Sequence, residues 1–169
     1  MHASSLSAGV DCKGVGVTDA FCLPIVPRYA EVDQQGVVFH GHYLTWFDET
    51  STAYLDHLGV SIARFEEWGL DLQLVHAELD YLAPVRWRDD VRVEARCVST
   101  GRTSFSLAFE AVRRAADGTE VTTTRGRNVY VVVSTQDWTS REIPPEVRDA
   151  LTRVASQGLD APDGGTVAP

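Results

Sequence analysis

Apolar residues recur at helical spacing in the first half of the chain and at strand-like spacing after Gly69. Between Tyr43 and Leu58, the positions that share one helical face are Leu44, Phe47, Ser51, Tyr54 and Leu58. Their three- and four-residue spacing predicts a helix packed on a core, and Gly59 follows where a left-handed cap is expected. The segment SIARFEEWG predicts a second, shorter helix with Ser61 as its N-cap.

Four later segments alternate or run apolar, and this pattern predicts strands. They are DLQLVHAELDYLAPV, VRVEARCVSTG, RTSFSLAFEAVRR and EVTTTRGRNVYVVVS. FCLPIVPRY predicts an earlier strand, at an edge or bulged because its two prolines cannot donate to a ladder, and PPEVRDALTRVA predicts a closing helix. A long helix with so few companions must cover a sheet. The sequence therefore predicts an α+β fold with the helix on a five-stranded antiparallel sheet.

The 169 residues, 44% of them apolar, fit a single domain. Residues 1–20 and 156–169 are rich in small and polar residues, so we expect disordered ends and an ordered domain over 21–155. The chain lacks a long apolar run and a secretory signal pattern, which favours a cytoplasmic protein without membrane insertion. Cys12, Cys22 and Cys97 are odd in number and widely spaced, which favours free thiols over a disulfide framework.

The charge balance limits the partners of the protein. Fifteen basic and 24 acidic residues give a net charge of −9, which argues against nucleic-acid binding. An anionic ligand would therefore need a local cation. Lys13 is the only lysine, and most arginines lie in the middle and later chain. Arginine binds phosphate well, although we expect most of these side chains to be solvated on strand faces.

The segment RYAEVDQQGVVFHGHYLTWFDET contains the candidate chemistry. Asp33 stands in a turn before the long helix, and His40 lies where the free backbone N–H groups of that helix begin. Such groups bind an oxyanion or a polarised carbonyl, and a facing carboxylate can attack an acyl carbon or deprotonate water. Gly36 and Gly41 would let the backbone approach a ligand closely. Alternatively, Asp33 serves only to cap its own turn.

An ordered set of residues in this segment resembles a known family. The set is Tyr29, Glu31, Asp33, Gly36, Val37, Val38, Phe39, His40, Tyr43, Trp46, Phe47 and Asp48. It resembles the hotdog-fold acyl-CoA thioesterases of the 4-hydroxybenzoyl-CoA thioesterase type, in particular the Tyr-x-x-x-Asp-x-x-Gly-x-Val-aromatic-His segment of the Tol-Pal-linked bacterial branch. DYLAPVRWRDDVRV and GRTSF extend the resemblance more loosely to about residue 148.

The resemblance implies a hotdog fold, a homodimer or homotetramer with active sites at subunit interfaces, and hydrolysis of acyl-CoA without a cofactor or metal. It implies that Asp33 is the catalytic carboxylate, as nucleophile or general base, and that Tyr29 positions it. The backbone N–H of His40 would polarise the thioester carbonyl. The candidate substrate-binding residues are Gly41, His42, Arg102 and Ser104. Because a protein of net charge −9 needs a local cation for a polyanionic ligand, we expect Arg102 in the GRTSF turn to bind the coenzyme A phosphates, the alternative being an exposed turn arginine. His42 departs from the family pattern, which has Asn or a small residue, and Glu49 replaces a basic residue.

Other interpretations remain open at this point. His40-x-His42 with Asp33 could ligate a metal, but His57 and His76 show no convergence on them that would complete such a site. Asp48, on the helix, is the second candidate for the catalytic acid. The protein could also be an acyl-carrier-protein thioesterase of a biosynthetic pathway, or a binding module that lost turnover. The acyl group is not predicted.

Overall fold

The computed structural model describes residues 10–11 and 20–157 of the chain, and the side chains of residues 20–153. The predicted disordered ends lie outside these ranges, except that Val10 and Asp11 form a short strand and the last helix continues to Gln157. Among the described residues, no helix combines the length and apolar character needed to cross a bilayer.

The described residues form three helices and one antiparallel sheet. In chain order the elements are β1 (Val10–Asp11), β2 (Phe21–Ile25), α1 (His42–His57), α2 (Ile62–Glu67), β3 (Leu70–Tyr81), β4 (Asp90–Thr100), β5 (Ser104–Arg114), β6 (Glu120–Ser134) and α3 (Pro145–Gln157). The strand order is β1-β2-β4-β5-β6-β3. The predicted fold, a long helix with five main strands, is confirmed, and β1 adds only two residue pairs to one edge.

The strand order brings two loops together at one end of the sheet. β3 pairs with β6 and lies at an edge, whereas β4 pairs with β2 and β5. Between Tyr81 and Asp90 the chain must therefore cross from the edge strand β3 past β6 and β5 to the interior strand β4. This connection passes the turn before α1, where the N–H of Val38 donates to the carbonyl of Val85 over 2.8 Å. The turn is thereby fixed to the rest of the domain.

α1 covers the sheet with a face slightly rotated from the predicted one. Its buried residues are Tyr43, Trp46, Phe47, Thr50, Ser51, Tyr54 and Leu55. Leu44, predicted to be buried, is exposed, because the aromatic side chains of Tyr43 and Trp46 occupy the core side of the first turn. Gly59 adopts a positive φ of 79° after the helix, as its position predicts.

Phe47 on α1 makes a close contact with the sheet. Its ring stacks on that of Phe109, with centroids 4.7 Å apart and planes 9° from parallel. Phe109 on β5 pairs across the strands with Gly126 on β6. A Cβ atom at Gly126 would overlap the ring of Phe47. The glycine therefore makes room for the helix at the centre of the sheet.

The cysteines depart from the sequence-based expectation. Cys22 is disulfide-bonded, so the prediction of free thiols is wrong for this residue. The spacing of cysteines along a chain does not reveal which of them the strand register brings into bonding distance. Cys97 is a free, buried thiol, and burial raises its pKa. Ser61 precedes α2 as predicted, but its hydroxyl makes no capping hydrogen bond.

Replacing Gly126 with alanine should destabilise the fold by about 1–3 kcal/mol, because the added methyl group overpacks the contact with Phe47. Urea unfolding at a fixed protein concentration measures this change. Gly101→Ala is the matched control, since a Cβ there meets its nearest atom at an ordinary 3.4 Å. The double variant Gly126→Ala/Phe47→Leu should recover part of the loss. Equal stability of wild type and Gly126→Ala would contradict this account of the helix position.

Candidate active site

The turn before α1 is a small two-stranded loop. The N–H of Asp33 donates to the carbonyl of Val37 over 2.9 Å, and the N–H of Phe39 donates to the carbonyl of Glu31 over 2.8 Å. Val32 and Val38 form an isolated bridge between these bonds. Gly36 closes the tip with a φ of 75°, a conformation that glycine adopts without steric cost.

Asp33 caps this turn with one carboxylate oxygen. Its Oδ1 accepts hydrogen bonds from the N–H of Gln35 at 2.8 Å and from the N–H of Val37 at 3.5 Å. The structural role considered for a turn aspartate is therefore present. Among the described residues, no hydrogen bond reaches Oδ2. The side chain is half-buried, so this second oxygen is accessible for chemistry while the first holds the carboxylate in place.

The residues just before α1 present free backbone donors. α1 begins at His42 with Gly41 as its N-cap, and His40 precedes both. Within the described part of the chain, the N–H groups of His40 and Gly41 donate to no protein acceptor. They lie at the positive end of the helix dipole. The hydroxyl of Tyr81 fixes this corner by donating to the carbonyl of His40 over 3.0 Å.

Asp33 and His40 lie at different levels of the loop. Asp33 pairs with Val37 near the tip, whereas Phe39 pairs with Glu31 at the base, next to His40. Val37 and His40 are three residues apart, so their backbones are separated by at most about 10 Å. The carboxylate and the N–H therefore belong to one short segment, and a thioester bound between them can face both.

Glu31 is a buried charge whose role the sequence did not reveal. Its side chain is 3% exposed and accepts hydrogen bonds from the backbone and guanidinium of Arg28, at 2.8 and 2.7 Å, and from the indole of Trp46 at 3.4 Å. Burial would raise the pKa of Glu31, but these hydrogen bonds outweigh burial and hold the pKa below its ordinary value. In the sequence, the Arg-x-x-Glu spacing was the signal that could have indicated this pairing of Arg28 with Glu31. Glu31 ties the segment before the turn to α1.

The other predicted residues of this segment are close to aromatic rings. Tyr29 is 75% exposed and contacts Trp87 edge to face, with centroids 5.4 Å apart. No hydrogen bond joins Tyr29 to Asp33 among the described residues. His42 packs edge-on against Phe39, and Gly41 is close enough to the same ring that a Cβ would lie 3.0 Å from it. Phe39 thus shapes the backbone at the start of α1.

Arg102 and Ser104 lie at the opposite end of the sheet from the turn. They flank the β4–β5 connection, and the Arg102 guanidinium lies 3.1 Å from the carboxylate of Glu142 on the exposed surface. The Asp33 turn is adjacent to the start of β4, whose eleven residues span roughly 30 Å. One chain therefore does not bring Arg102 and Asp33 into one site.

A cavity of about 180 Å³ lies beside the middle of α1. Its walls include Asp48, Ser51, Thr52, Leu72, Phe105 and Tyr130. The Tyr130 hydroxyl accepts a hydrogen bond from the buried amide of Asn128 over 3.0 Å, and burial raises the pKa of Tyr130. The Asn128 Oδ1 atom has no partner among the described residues. Asp48 therefore stands at the edge of a partly polar cavity, which keeps it as the second candidate acid.

The histidines and acids do not assemble a metal site in the part of the chain that the structure describes. No group of three or more His, Cys, Asp or Glu side chains is arranged there to hold an ion. His57 contacts the ring of Phe21, and His76 lies 3.6 Å from Glu78 on the edge strand. The alternative of a His40, His42 and Asp33 metal site thus has no further ligand among the described residues.

Comparison with known proteins identifies the family. The chain matches the Thioesterase superfamily over residues 35–134, more than half of its length, and it belongs to that superfamily. A solved structure of a 4-hydroxybenzoyl-CoA thioesterase variant, complexed with 4-hydroxybenzoyl-CoA, superposes with a TM-score of 0.74 at 17% identity. It covers 78% of this chain and 98% of that one. The predicted hotdog fold is thereby confirmed.

Two curated relatives carry functional names. "Putative acyl-CoA thioesterase YneP" of Bacillus subtilis is 35% identical over 60 residues, which is 36% of this chain and 44% of that protein. The 1,4-dihydroxy-2-naphthoyl-CoA hydrolase of Synechococcus elongatus is 29% identical over 86 residues, which is 50% of this chain and 63% of that protein. The chain thus spans less than two thirds of the length of these relatives.

The buried Glu31 should make stability pH-dependent. Because its folded pKa lies below the unfolded value of about 4.5, its stabilisation is fully present above that pH and is lost as the pH falls through the folded pKa. Glu31→Gln should cost about 1–3 kcal/mol at pH 7, and the difference from wild type should shrink below about pH 4.5.

Urea unfolding of both proteins from pH 8 down to about pH 2.5 measures this difference. Glu66→Gln, at an exposed position on α2, is the control and should stay within about 0.5 kcal/mol of wild type throughout. A cost for Glu31→Gln that does not change with pH would show that the Glu31 charge has no part in it.

Proposed function

We propose that the protein hydrolyses an acyl-CoA thioester to a free carboxylic acid and coenzyme A. The observation that carries this proposal is the turn before α1, which holds an Asp33 carboxylate with one free oxygen in the same segment as the free N–H groups of His40 and Gly41. A carboxylate and a pair of oxyanion donors are the groups that acyl transfer requires. Membership of the Thioesterase superfamily supports the proposal.

In the proposed reaction, the thioester carbonyl accepts a hydrogen bond from the His40 N–H, and negative charge on its oxygen is stabilised at the helix start. Asp33 then acts in one of two ways. As a nucleophile, its free oxygen attacks the carbonyl carbon, the C–S bond breaks, coenzyme A leaves as thiolate, and water cleaves the mixed anhydride. As a general base, it takes a proton from the water that attacks the carbonyl.

The names of the relatives support an acyl-CoA substrate, and the motif around Asp33 supports the 4-hydroxybenzoyl-CoA thioesterase type and its Tol-Pal-linked branch. The resemblance supports Tyr29 as a positioning residue, and Gly41, His42, Arg102 and Ser104 are the candidate substrate-binding residues. A cytoplasmic location without nucleic-acid partners is part of the proposal.

Two alternative functions are tested by comparing matched coenzyme A and carrier-protein thioesters. An acyl-carrier-protein thioesterase would hydrolyse a carrier-protein thioester faster than the matched coenzyme A thioester. A binding module that lost turnover would bind the thioester without releasing thiol. The free oxygen of Asp33 argues against the second alternative.

Asp33→Asn should leave the fold intact, because the asparagine Oδ1 still accepts the hydrogen bond from Gln35. The chemical step should fall about 10²- to 10⁴-fold with little change in binding, since the charge is lost. Thiol release under single-turnover conditions measures the effect. Asp48→Asn is the matched control and should retain most activity. Loss confined to Asp48→Asn would move the catalytic role to the cavity beside α1.

The two roles of Asp33 are separable by isotope. After single turnover in ¹⁸O-water, label in the Asp33 carboxylate identifies an anhydride that water cleaves at the Asp33 carbonyl. Label only in the released acid is the pattern of general-base catalysis and equally of an anhydride cleaved at the acyl carbonyl, which trapping of the acyl-enzyme with hydroxylamine then distinguishes. Mass spectrometry of the peptide that contains Asp33 provides this measurement.

We also propose that the protein works as a homodimer or homotetramer. β3 is an edge strand, and its five residues from Leu74 to Glu78 are all exposed, including Leu74 at 45% and Val75 at 58%. An open edge with apolar side chains is a template for pairing with another chain. Pairing of two copies along β3 would also place a second subunit beside α1.

Val75→Asp should weaken this association at least about tenfold by placing a charge in the paired edge. Val75→Thr keeps the shape without the charge and should associate almost as wild type. Light scattering across a dilution series measures the assembly, with 18.6 kDa expected for the monomer. A stable, active wild-type monomer would contradict the proposal.

A further inference from the structure

A surface cluster next to the Asp33 turn consists of Tyr29, Arg86, Trp87 and Arg88. Tyr29 precedes the turn, and the other three residues lie in the connection between β3 and β4. The Arg86 guanidinium reaches the turn itself, with its Nη1 atom 3.5 Å from the Gly36 carbonyl. We call these four residues the nucleotide cluster. The cluster therefore lies at the same end of the sheet as the proposed reaction.

The two arginines of the cluster are not neutralised. No ion pair within residues 20–153 includes Arg86 or Arg88. The nearby Asp89 is already engaged, because it accepts the backbone N–H of Arg86 and lies 3.6 Å from Arg113. In a protein of net charge −9, two unpaired cations at one place form a local site for an anion.

The cluster also holds its aromatic groups in a defined arrangement. The Arg88 guanidinium lies over the Trp87 ring at 4.1 Å, and Tyr29 packs edge to face on the same ring. Trp87 thus supports both neighbours. Tyr29, with 75% of its surface exposed, presents a flat ring to solvent. Aromatic rings and guanidinium planes are the surfaces on which nucleic-acid bases stack, at about 1–3 kcal/mol per base.

The backbone at Arg88 is strained to achieve this arrangement. Its φ of 69° lies in the left-handed region, which costs a non-glycine residue about 1–2 kcal/mol. Glycine would adopt this conformation without that cost. A long, charged side chain at such a position is explained if the guanidinium has a ligand to hold.

We propose that Tyr29, Arg86, Trp87 and Arg88 bind the nucleotide of coenzyme A. The proposal rests on the proposed acyl-CoA substrate, and it assigns Tyr29 a stacking role in place of the positioning role. The adenine stacks on the Tyr29 ring, while the guanidinium groups of Arg86 and Arg88 bind the phosphates. The Trp87 ring holds the side chains of Tyr29 and Arg88 in place. Arg102, whose guanidinium is already paired with Glu142, is then not the main phosphate ligand.

Calorimetric titration of the full chain with coenzyme A and with adenosine 3′,5′-bisphosphate tests the site directly. Arg86→Ala and Arg88→Gly should each weaken both ligands about tenfold, the loss of one charge-assisted contact. Arg88→Gly relieves the backbone strain, so lost binding cannot be attributed to misfolding. Tyr29→Ala should weaken binding to a similar extent. Tyr29→Phe, which keeps the ring, should bind within about twofold of wild type.

Arg96→Ala removes an exposed arginine of β4 that has no ion pair in the described region, and this control should bind both ligands as wild type does. Wild-type affinity in Arg86→Ala, Arg88→Gly and Tyr29→Ala would overturn the proposal. A loss seen only in Arg102→Ala would overturn it as well and would place the phosphates at the β4–β5 turn.

An acyl N-acetylcysteamine thioester, which carries no nucleotide, separates this proposal from the proposed function. Hydrolysis of that substrate together with unchanged nucleotide binding in the variants would leave the thioesterase function standing and reject the cluster. Nucleotide binding that depends on the cluster, without hydrolysis of any thioester, would support the cluster and reject the function.

Discussion

The close approach of α1 to the sheet at Gly126 is the constraint on which the rest of the structure depends. Phe47 reaches the sheet only because β6 has no side chain at that point. This contact fixes the height of the helix above the sheet, and Glu31 fixes its first turns to the preceding segment through Trp46. The free N–H groups at the helix start are therefore held at a defined place beside the Asp33 turn. A catalytic site built from backbone donors requires such rigidity, since donors that move do not stabilise charge efficiently.

The fold was largely predictable from the sequence because its elements have one buried face each. The alternation of apolar and polar residues in β4 to β6 and the three- and four-residue spacing of apolar residues in α1 follow directly from that geometry. The pairing of β3 with β6 was not predictable, since partner choice between strands depends on the whole domain and not on local pattern. The same limit applies to Leu44, whose exposure reflects competition with Tyr43 and Trp46 for the core side of the first turn. The disulfide of Cys22 likewise depends on tertiary proximity.

The same difference between local and tertiary features applies to the candidate site. Asp33, His40 and Gly41 could be proposed from the sequence because a turn before a helix is a local feature. Glu31 was not assigned a role, since its burial between Arg28 and Trp46 exists only in the folded chain. Arg86, Trp87 and Arg88 lie more than 50 residues from Tyr29, and only the strand order brings them beside it. Arg102 was expected to bind the coenzyme A phosphates, and this stays a prediction; the length of β4 separates Arg102 from Asp33 within one subunit.

These observations describe a thioesterase-superfamily protein in which one end of the sheet collects a carboxylate, a helix start and a cluster of arginines and aromatic rings. The most direct test is a thiol-release assay of the wild-type protein with aromatic, short-chain and long-chain acyl-CoAs. The account predicts that at least one class yields coenzyme A and free acid in equal amounts, well above the spontaneous rate. Thiol release no faster than in buffer for every class, by a correctly folded and assembled protein, would contradict it.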